Sequence, residues 1–568
     1  MHQRCDSRLG CSNCDKGDRS VRCRFERQQE QRRLSFALYL LANSNIAQFQ
    51  LGLIWNVAVR SGISSGWLVR LLTWPLLGAS TGIAQSASAF NDAVLHIRRG
   101  DFHTGCQLAE RLYHSVPESY AVYNLLGLCA AQRGQQTRAE ELFRKSIKLN
   151  LKFPDARNNL AVDLLRRGNV AEARAEFNQV LKLDPSNVTA LFNLGKVELA
   201  NGDLINATSH LRKAKTFAPQ DPQISLTFAE ALLASGQPGP ARILVRRFIE
   251  NEKNSMIVLA ASWLALQGLD EGLARKGFEK ALILNSDARR ELLSLARTAV
   301  VQQRYEPATT ILSIIQPSKE QAAEWNALAG YANYKLGQKN IGIQLLTQAV
   351  QLDPKVEDFW IKLGEVMLFY GHHTDAAQVF RAGLEQLPDS PFLHFGLAVS
   401  HLETSANQEE LRKHLEAALT LHPDFEPALL VRCYVSYRER NWTDLQDTAE
   451  RLLAINKTSA EAHYYKALFL VERDGAADDE MSRTTARRFL EESIRLKPEF
   501  SGSHMALGRL LSRMGQTSLA IQEFKLAAGL KPNDPSPYYQ LSMAYRKTGD
   551  SENSRRALDR FGSLRPSK

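Results

Sequence analysis

Four asparagines and a lysine in the early part of the chain, Asn124, Asn158, Asn159, Asn193 and Lys196, are the residues best equipped for recognition chemistry. A carboxamide carries two donors and one acceptor. A row of them can therefore pair with successive N–H and C=O groups of an extended polypeptide. Asn159 and Asn193 lie 34 residues apart, so they present the same group twice only if the backbone itself repeats. The pair His372-His373 offers metal-binding nitrogens, but no third or fourth ligand lies nearby in sequence. No metal or cofactor is expected. There is no glycine-rich phosphate loop, G-x-S-x-G elbow or H-E-x-x-H helix, and the chain is read as not an enzyme.

The elements that must position these amides follow from a period. Gly100, Gly134, Gly168, Gly202 and Gly236 recur every 34 residues, and so do Ala139, Ala173, Ala207 and Ala241. Pro498, Pro532 and Pro566 keep the same interval near the end of the chain. In the copy running from Val188 to Asp221, apolar residues fall at helical spacing on both sides of "NGD", so the unit reads as helix, turn, helix. Gly202 suits a turn that needs positive φ, and Pro219 stops the second helix. Small residues form two columns, one through Gly127, Ala161, Gly195, Ala229, Gly364 and Gly508, the other through Ala173, Ala207, Ala376 and Ala520. They mark where two helices approach closely. Phe143, Phe177, Leu211, Phe278, Phe380 and Phe524 follow the second column by four residues and are expected to fill the core between pairs.

With these columns in place, the chain resembles the tetratricopeptide repeat family. The stretch from Phe359, "FWIKLGEVMLFYGHHTDAAQVFRAGLEQLPDS", carries the family's Trp, Leu-Gly, Ala, Phe and Pro positions. The resemblance implies an all-α, right-handed superhelical α-solenoid of antiparallel helix pairs, with about fourteen repeats over residues 90–568. Units near Met256, Ala288 and Phe425 are degenerate. A single hairpin cannot bury its apolar face alone, and stacking creates one long groove. The family implies a non-catalytic scaffold that binds a protein or peptide partner in that groove. In related arrays an Asn at the position of Asn159 and Asn193 contacts peptide backbone. A clamp for a terminal carboxylate would need several converging Lys and Arg, and Lys196 and Arg166 alone do not supply it. Two alternatives stay open: an exported accessory for assembly or secretion of a surface polymer, and an enzyme with an unrecognised site.

Charge and cysteine placement set the remaining bounds. The net charge is +10, but nine Lys/Arg against five Asp/Glu crowd Met1 to Arg33, leaving the repeats close to neutral. That balance argues against a nucleic-acid partner. Cys5, Cys11, Cys14 and Cys23 contain one close pair, a weak zinc-knuckle pattern. Cys106, Cys129 and Cys433 are expected in helix cores as small apolar residues, with no disulfide framework. Residues 1–89 read as an irregular segment. Leu34 to Val59 is uncharged but holds Asn43, Asn45, Gln48, Gln50 and Asn56, so no stable membrane span is expected. Residues 60–89 resemble an export signal, with Arg60 and Arg70, an apolar core from Leu71, and Gly82-Ile83-Ala84 or Ala87-Ser88-Ala89 as the cleavage site. If the segment is used, the protein is periplasmic or secreted and bacterial; otherwise it is cytoplasmic. The acidic stretch Asp474 to Glu480 reads as a solvated loop.

Overall fold

The computed structural model describes residues 81–402, 408–473 and 480–564. The four early cysteines, the apolar stretch 34–59, most of the signal-like segment and acidic residues 474–479 lie outside the described residues. Twenty-eight helices and no strand occur among the described residues. The chain divides into two compact units, with the boundary between Gln321 and Ala322.

Each helix packs most extensively on its neighbour in sequence, giving antiparallel hairpins in single file within each unit. In the first unit, α1 (Thr81–Arg98) pairs with α2 (Phe102–Ser115), and α3 (Tyr120–Gln132) with α4 (Gln136–Leu149). Next come α5 (Pro154–Arg166) with α6 (Val170–Leu183), and α7 (Val188–Ala200) with α8 (Leu204–Phe217). The unit continues with α9 (Pro222–Ala234) and α10 (Pro238–Asn251), α11 (Ser255–Leu266) and α12 (Glu271–Leu284), and α13 (Ala288–Val301) and α14 (Tyr305–Ile314). The second unit opens with α15 (Ala322–Lys335) and α16 (Lys339–Leu352), then α17 (Glu357–Phe369) and α18 (His373–Gln386). There follow α19 (Pro391–Ser400) with α20 (Gln408–Leu421), and α21 (Glu426–Arg438) with α22 (Trp442–Ile455). The last pairs are α23 (Ala460–Glu472) with α24 (Glu480–Leu496), α25 (Ser501–Arg513) with α26 (Thr517–Leu530), and α27 (Pro535–Lys547) with α28 (Ser551–Ser563).

The turn glycine behaves as the period requires: Gly202 adopts φ +78°, a region that costs other residues steric energy. In two turns no glycine is present, and Gln303 (φ 59°) and Arg440 (φ 56°) take the left-handed conformation instead. Those turns lie in degenerate copies. Side-chain caps help fix several helix starts: Asn187 accepts from the Ala190 N–H at the head of α7, and Asp221 from Ile224 at the head of α9.

The two columns lock together in the core. A Cβ added at Gly127 would lie 2.5 Å from Phe143, one at Gly195 2.7 Å from Leu211, and one at Gly508 2.5 Å from Phe524. Phe380 touches Gly364 of its own hairpin and Gly396 of the next, so its ring sits between pairs. Phe143, Phe177, Phe278 and Phe380 are fully enclosed.

Two expectations change. Cys106 on α2 and Cys129 on α3 are buried, but they are not free thiols: they form a disulfide, with Cα atoms 5.7 Å apart. Packing of consecutive hairpins brings them together, and no repeat of cysteine in the sequence announces it. Only Cys433 behaves as expected among the three, a buried free thiol. The second difference concerns the start of the first hairpin. Its first helix begins at Thr81, so Gly82-Ile83-Ala84 and Ala87-Ser88-Ala89 both lie within α1.

Candidate binding strip of the first unit

The first helix of each pair packs against its own partner on one side. It also meets the first helices before and after it, as α3 meets α5, α5 meets α7 and α7 meets α9. One face of each is left over, and these faces form a continuous strip. Residues three or four apart on a helix share a face, which selects Asp155, Asn158 and Val162 on α5. The same spacing selects Thr189, Phe192 and Lys196 on α7, and Gln223, Leu226 and Glu230 on α9.

The structure places the five sequence candidates in three different roles. Asn124 and Asn159 are buried, and Asn159 Nδ2 donates to Asn124 Oδ1 at 2.9 Å. Their amides tie α3 to α5. Asn158 is also buried; its Nδ2 donates at 3.0 Å to Oδ1 of Asn187, the residue that caps α7. Its own Oδ1 is buried with no hydrogen-bond partner among the described residues. Buried polar atoms in native proteins usually have a partner, so this acceptor is unusual. Asn193 is half-buried on α7, beside but not within the pairing of Asn124 with Asn159. Lys196 stands on the strip, its Nζ 5.4 Å from the centroid of the Phe192 ring one turn earlier.

Three ionisable groups on this strip are shifted toward neutral pH. Burial lowers the Lys196 ammonium to about 8, with Glu230 opposing. Burial raises the Glu230 carboxyl to about 7, with Lys196 opposing. Asp155 is raised to about 6, first by burial and then by the Asp184 carboxylate, while Arg98 pulls the other way. Each cost is that of taking a charge partly out of water. Sequence reading missed Asp155 and Glu230, although Glu230 lies one repeat length after Lys196 and could have been found by the period.

Such a strip offers amide and ionisable groups spaced along helices, suited to gripping an extended chain. The histidine pair lies elsewhere: His372 immediately precedes α18, its Nε2 2.8 Å from Lys339 Nζ, and His373 is the first residue of α18. Among the described residues, no group of three or more His, Cys, Asp or Glu is placed to hold a metal ion. Nor is any described helix long and apolar enough to cross a membrane.

Comparison with known proteins agrees with this geometry. Models of the tetratricopeptide repeat match residues 90–150, 158–222 and 368–424, and 501–534 and 535–567. The human protein O-mannosyl-transferase TMTC3 is 25% identical over 237 residues, 40% of this chain and 25% of that protein. The rat DnaJ homolog subfamily C member 3 is 24% identical over 203 residues, 34% of this chain and 40% of that protein. The chain thus spans only a quarter to two fifths of these relatives. The crystal structure of the APC/C hetero-tetramer Cut9-Hcn1 aligns over 85% of this chain and 95% of that one, at 14% identity and a TM-score of 0.38. That overlap is loose. The helix pairs, their 34-residue period and the matched segments agree: the chain carries tetratricopeptide repeats in both of its units.

Proposed function

We propose that this protein is a non-catalytic scaffold that holds an extended segment of a partner protein along the strip of its first unit. Asp155, Asn158, Lys196 and Glu230 are its main contacts. The observation that carries this reading is the buried, unpartnered Oδ1 of Asn158, set among three ionisable groups that burial holds near neutrality. A rotation of the buried Asn158 side chain lets a backbone N–H of a bound segment satisfy the first, and a partner charge relieves the others. A photo-crosslinking residue at Thr189, on the strip, should capture a partner protein that the same residue at Arg138, an exposed position on α4, does not. Equal labelling at both positions rejects the strip as the site. The likeness to an O-mannosyl-transferase keeps an enzyme as the rival class. Loss of turnover on changing one strip residue would favour it, whereas a scaffold loses affinity gradually over several.

A second reading concerns where the chain folds. We infer that it folds outside a reducing cytosol, as the signal-like segment implies, because disulfides persist in oxidising compartments and Cys106 is bonded to Cys129. The exported-accessory reading draws its support from the same bond. Alkylation of the native protein before reduction should leave both cysteines unlabelled. Labelled Cys106 and Cys129 in freshly isolated protein reject this reading.

A further inference from the structure

A similar contact joins the two helices of two hairpins. Arg157 of α5 donates to Glu176 of α6 at 2.8 Å, and His504 of α25 meets Glu523 of α26 at 2.7 Å. A second recurring contact reaches back six residues to a proline carbonyl: Trp360 Nε1 to Pro354 at 2.8 Å, and His504 Nε2 to Pro498 at 2.9 Å. His504 thus faces two acceptors that cannot donate, and only an imidazolium satisfies both. Its pKa is correspondingly raised, chiefly by the bond to Glu523.

The hairpin α19–α20 departs from this scheme. His394 stands where His504 does, and its Nε2 reaches the Pro388 carbonyl at 3.2 Å. The residue across from it is another histidine: His394 Nδ1 lies 2.8 Å from His414 Nδ1. His414 Nε2 faces the Glu410 carboxylate at 3.2 Å. A carbonyl and a carboxylate only accept, so both Nε2 atoms carry hydrogen. In two neutral rings both Nδ1 atoms are then bare lone pairs, pointed at one another. The ring planes differ by 27° and the centroids are 5.1 Å apart, about the Nδ1 separation plus two ring radii. The rings meet end to end rather than face to face. A zinc ion would need about 2.0 Å to each nitrogen, more than this end-to-end gap provides. A proton fits.

We propose that His394 and His414 share a single proton, and that this imidazole–imidazolium bond is a pH-sensitive latch closing α19 on α20. Two protons would place two cations 2.8 Å apart, so the pair takes up one proton as a unit. Burial of both rings opposes the charge most and holds both imidazoles below their ordinary range, and Lys413, paired with Glu410 at 3.6 Å, also opposes it; the Pro388 carbonyl, Asp389 and Glu410 favour it. The neighbouring helices bring other charges that are directed elsewhere. Glu357 of α17 accepts from Ser390, Arg381 of α18 acts on His401, and Arg432 of α21 pairs with Glu416. As pH rises through the titration of the pair, the proton leaves, the lone pairs repel and the rings part. The His504–Glu523 hairpin keeps its charge to higher pH and serves as an internal reference.

Ring 15N NMR of the histidine-labelled full chain, with hydrogen exchange of residues 391–400 and 408–421, tests this. His394 and His414 should titrate in one shared step of one proton. Exchange, corrected for the intrinsic effect of pH, should be about tenfold faster above that step, as for loss of one charge-assisted hydrogen bond. In His414→Gln the amide donates to the bare His394 Nδ1 and no proton is shared, so the step in exchange should vanish while His394 titrates alone. In His414→Glu the pair becomes that of His504 with Glu523, and the step should move to higher pH. Independent titration of the two rings, a neutral Nδ1–H tautomer on either, or a step in exchange retained in His414→Gln would overturn the proposal.

Discussion

The core supports a test in which two damaging substitutions repair each other. Phe380 is fully enclosed, and truncating such a ring costs roughly 3–5 kcal/mol. A methyl group at Gly364 would lie 2.2 Å from Phe380 Cζ and 2.5 Å from Cε1, so Gly364→Ala alone should cost about 1–3 kcal/mol by overpacking. With the ring gone, the added methyl enters vacated space. The double variant should then be no less stable than Phe380→Ala, a coupling of about 1–3 kcal/mol between the sites. An array of hairpins need not unfold in one step, so a single melting temperature is the wrong measure. Native-state hydrogen exchange of α17 and α18 reads the local opening instead. Phe380→Ala should speed it by about two to four orders of magnitude, leaving first-unit amides unchanged. Strictly additive effects of the two substitutions would refute the packing argument.

Four further outcomes follow from the first unit. Asp155 and Glu230, raised to about 6 and about 7, hold protons that the unfolded chain releases near pH ~4. Their contribution is therefore full below that pH and lost as pH rises through about 7. Asp155→Asn with Glu230→Gln should flatten first-unit stability across that window, measured by hydrogen exchange. Lys196, lowered to about 8, acts in reverse: its penalty is present below that pH and relieved above it, and Lys196→Met should abolish the rise. The loop closed by Cys106–Cys129 spans a separation of 23 residues, so reduction should cost about 3 kcal/mol, seen as faster exchange in α1 and α2. Asn159→Ala should strand the buried Asn124 Oδ1 and cost about 1–3 kcal/mol in α3 and α5, with little direct effect on partner affinity.

The fold was legible because its signal is repeated. A glycine at a left-handed turn, a small residue under a ring and a proline after the second helix recur every 34 residues, and Gly202, Gly364 with Phe380, and Pro219 stand where they imply. Where the pattern fades, at Gln303 and Arg440, the backbone keeps the turn without the glycine. The candidate site was legible only in part. Asn158 and Lys196 stand on the strip, but Asn124 and Asn159 look equivalent in sequence and prove to bond each other. Nothing local distinguishes an amide that faces a ligand from one that faces the next hairpin. The disulfide was invisible for the same reason: a contact between consecutive hairpins depends on how they stack, and each cysteine occurs once.

Affinity of a peptide selected from a random library on the full chain, compared between wild type and Asn158→Ala with Lys196→Met, addresses the central claim most directly. The account predicts at least a tenfold loss, with Arg138→Ala binding as wild type. Binding by the double variant within about twofold of wild type would contradict it and remove the first-unit strip as the place where a partner is held.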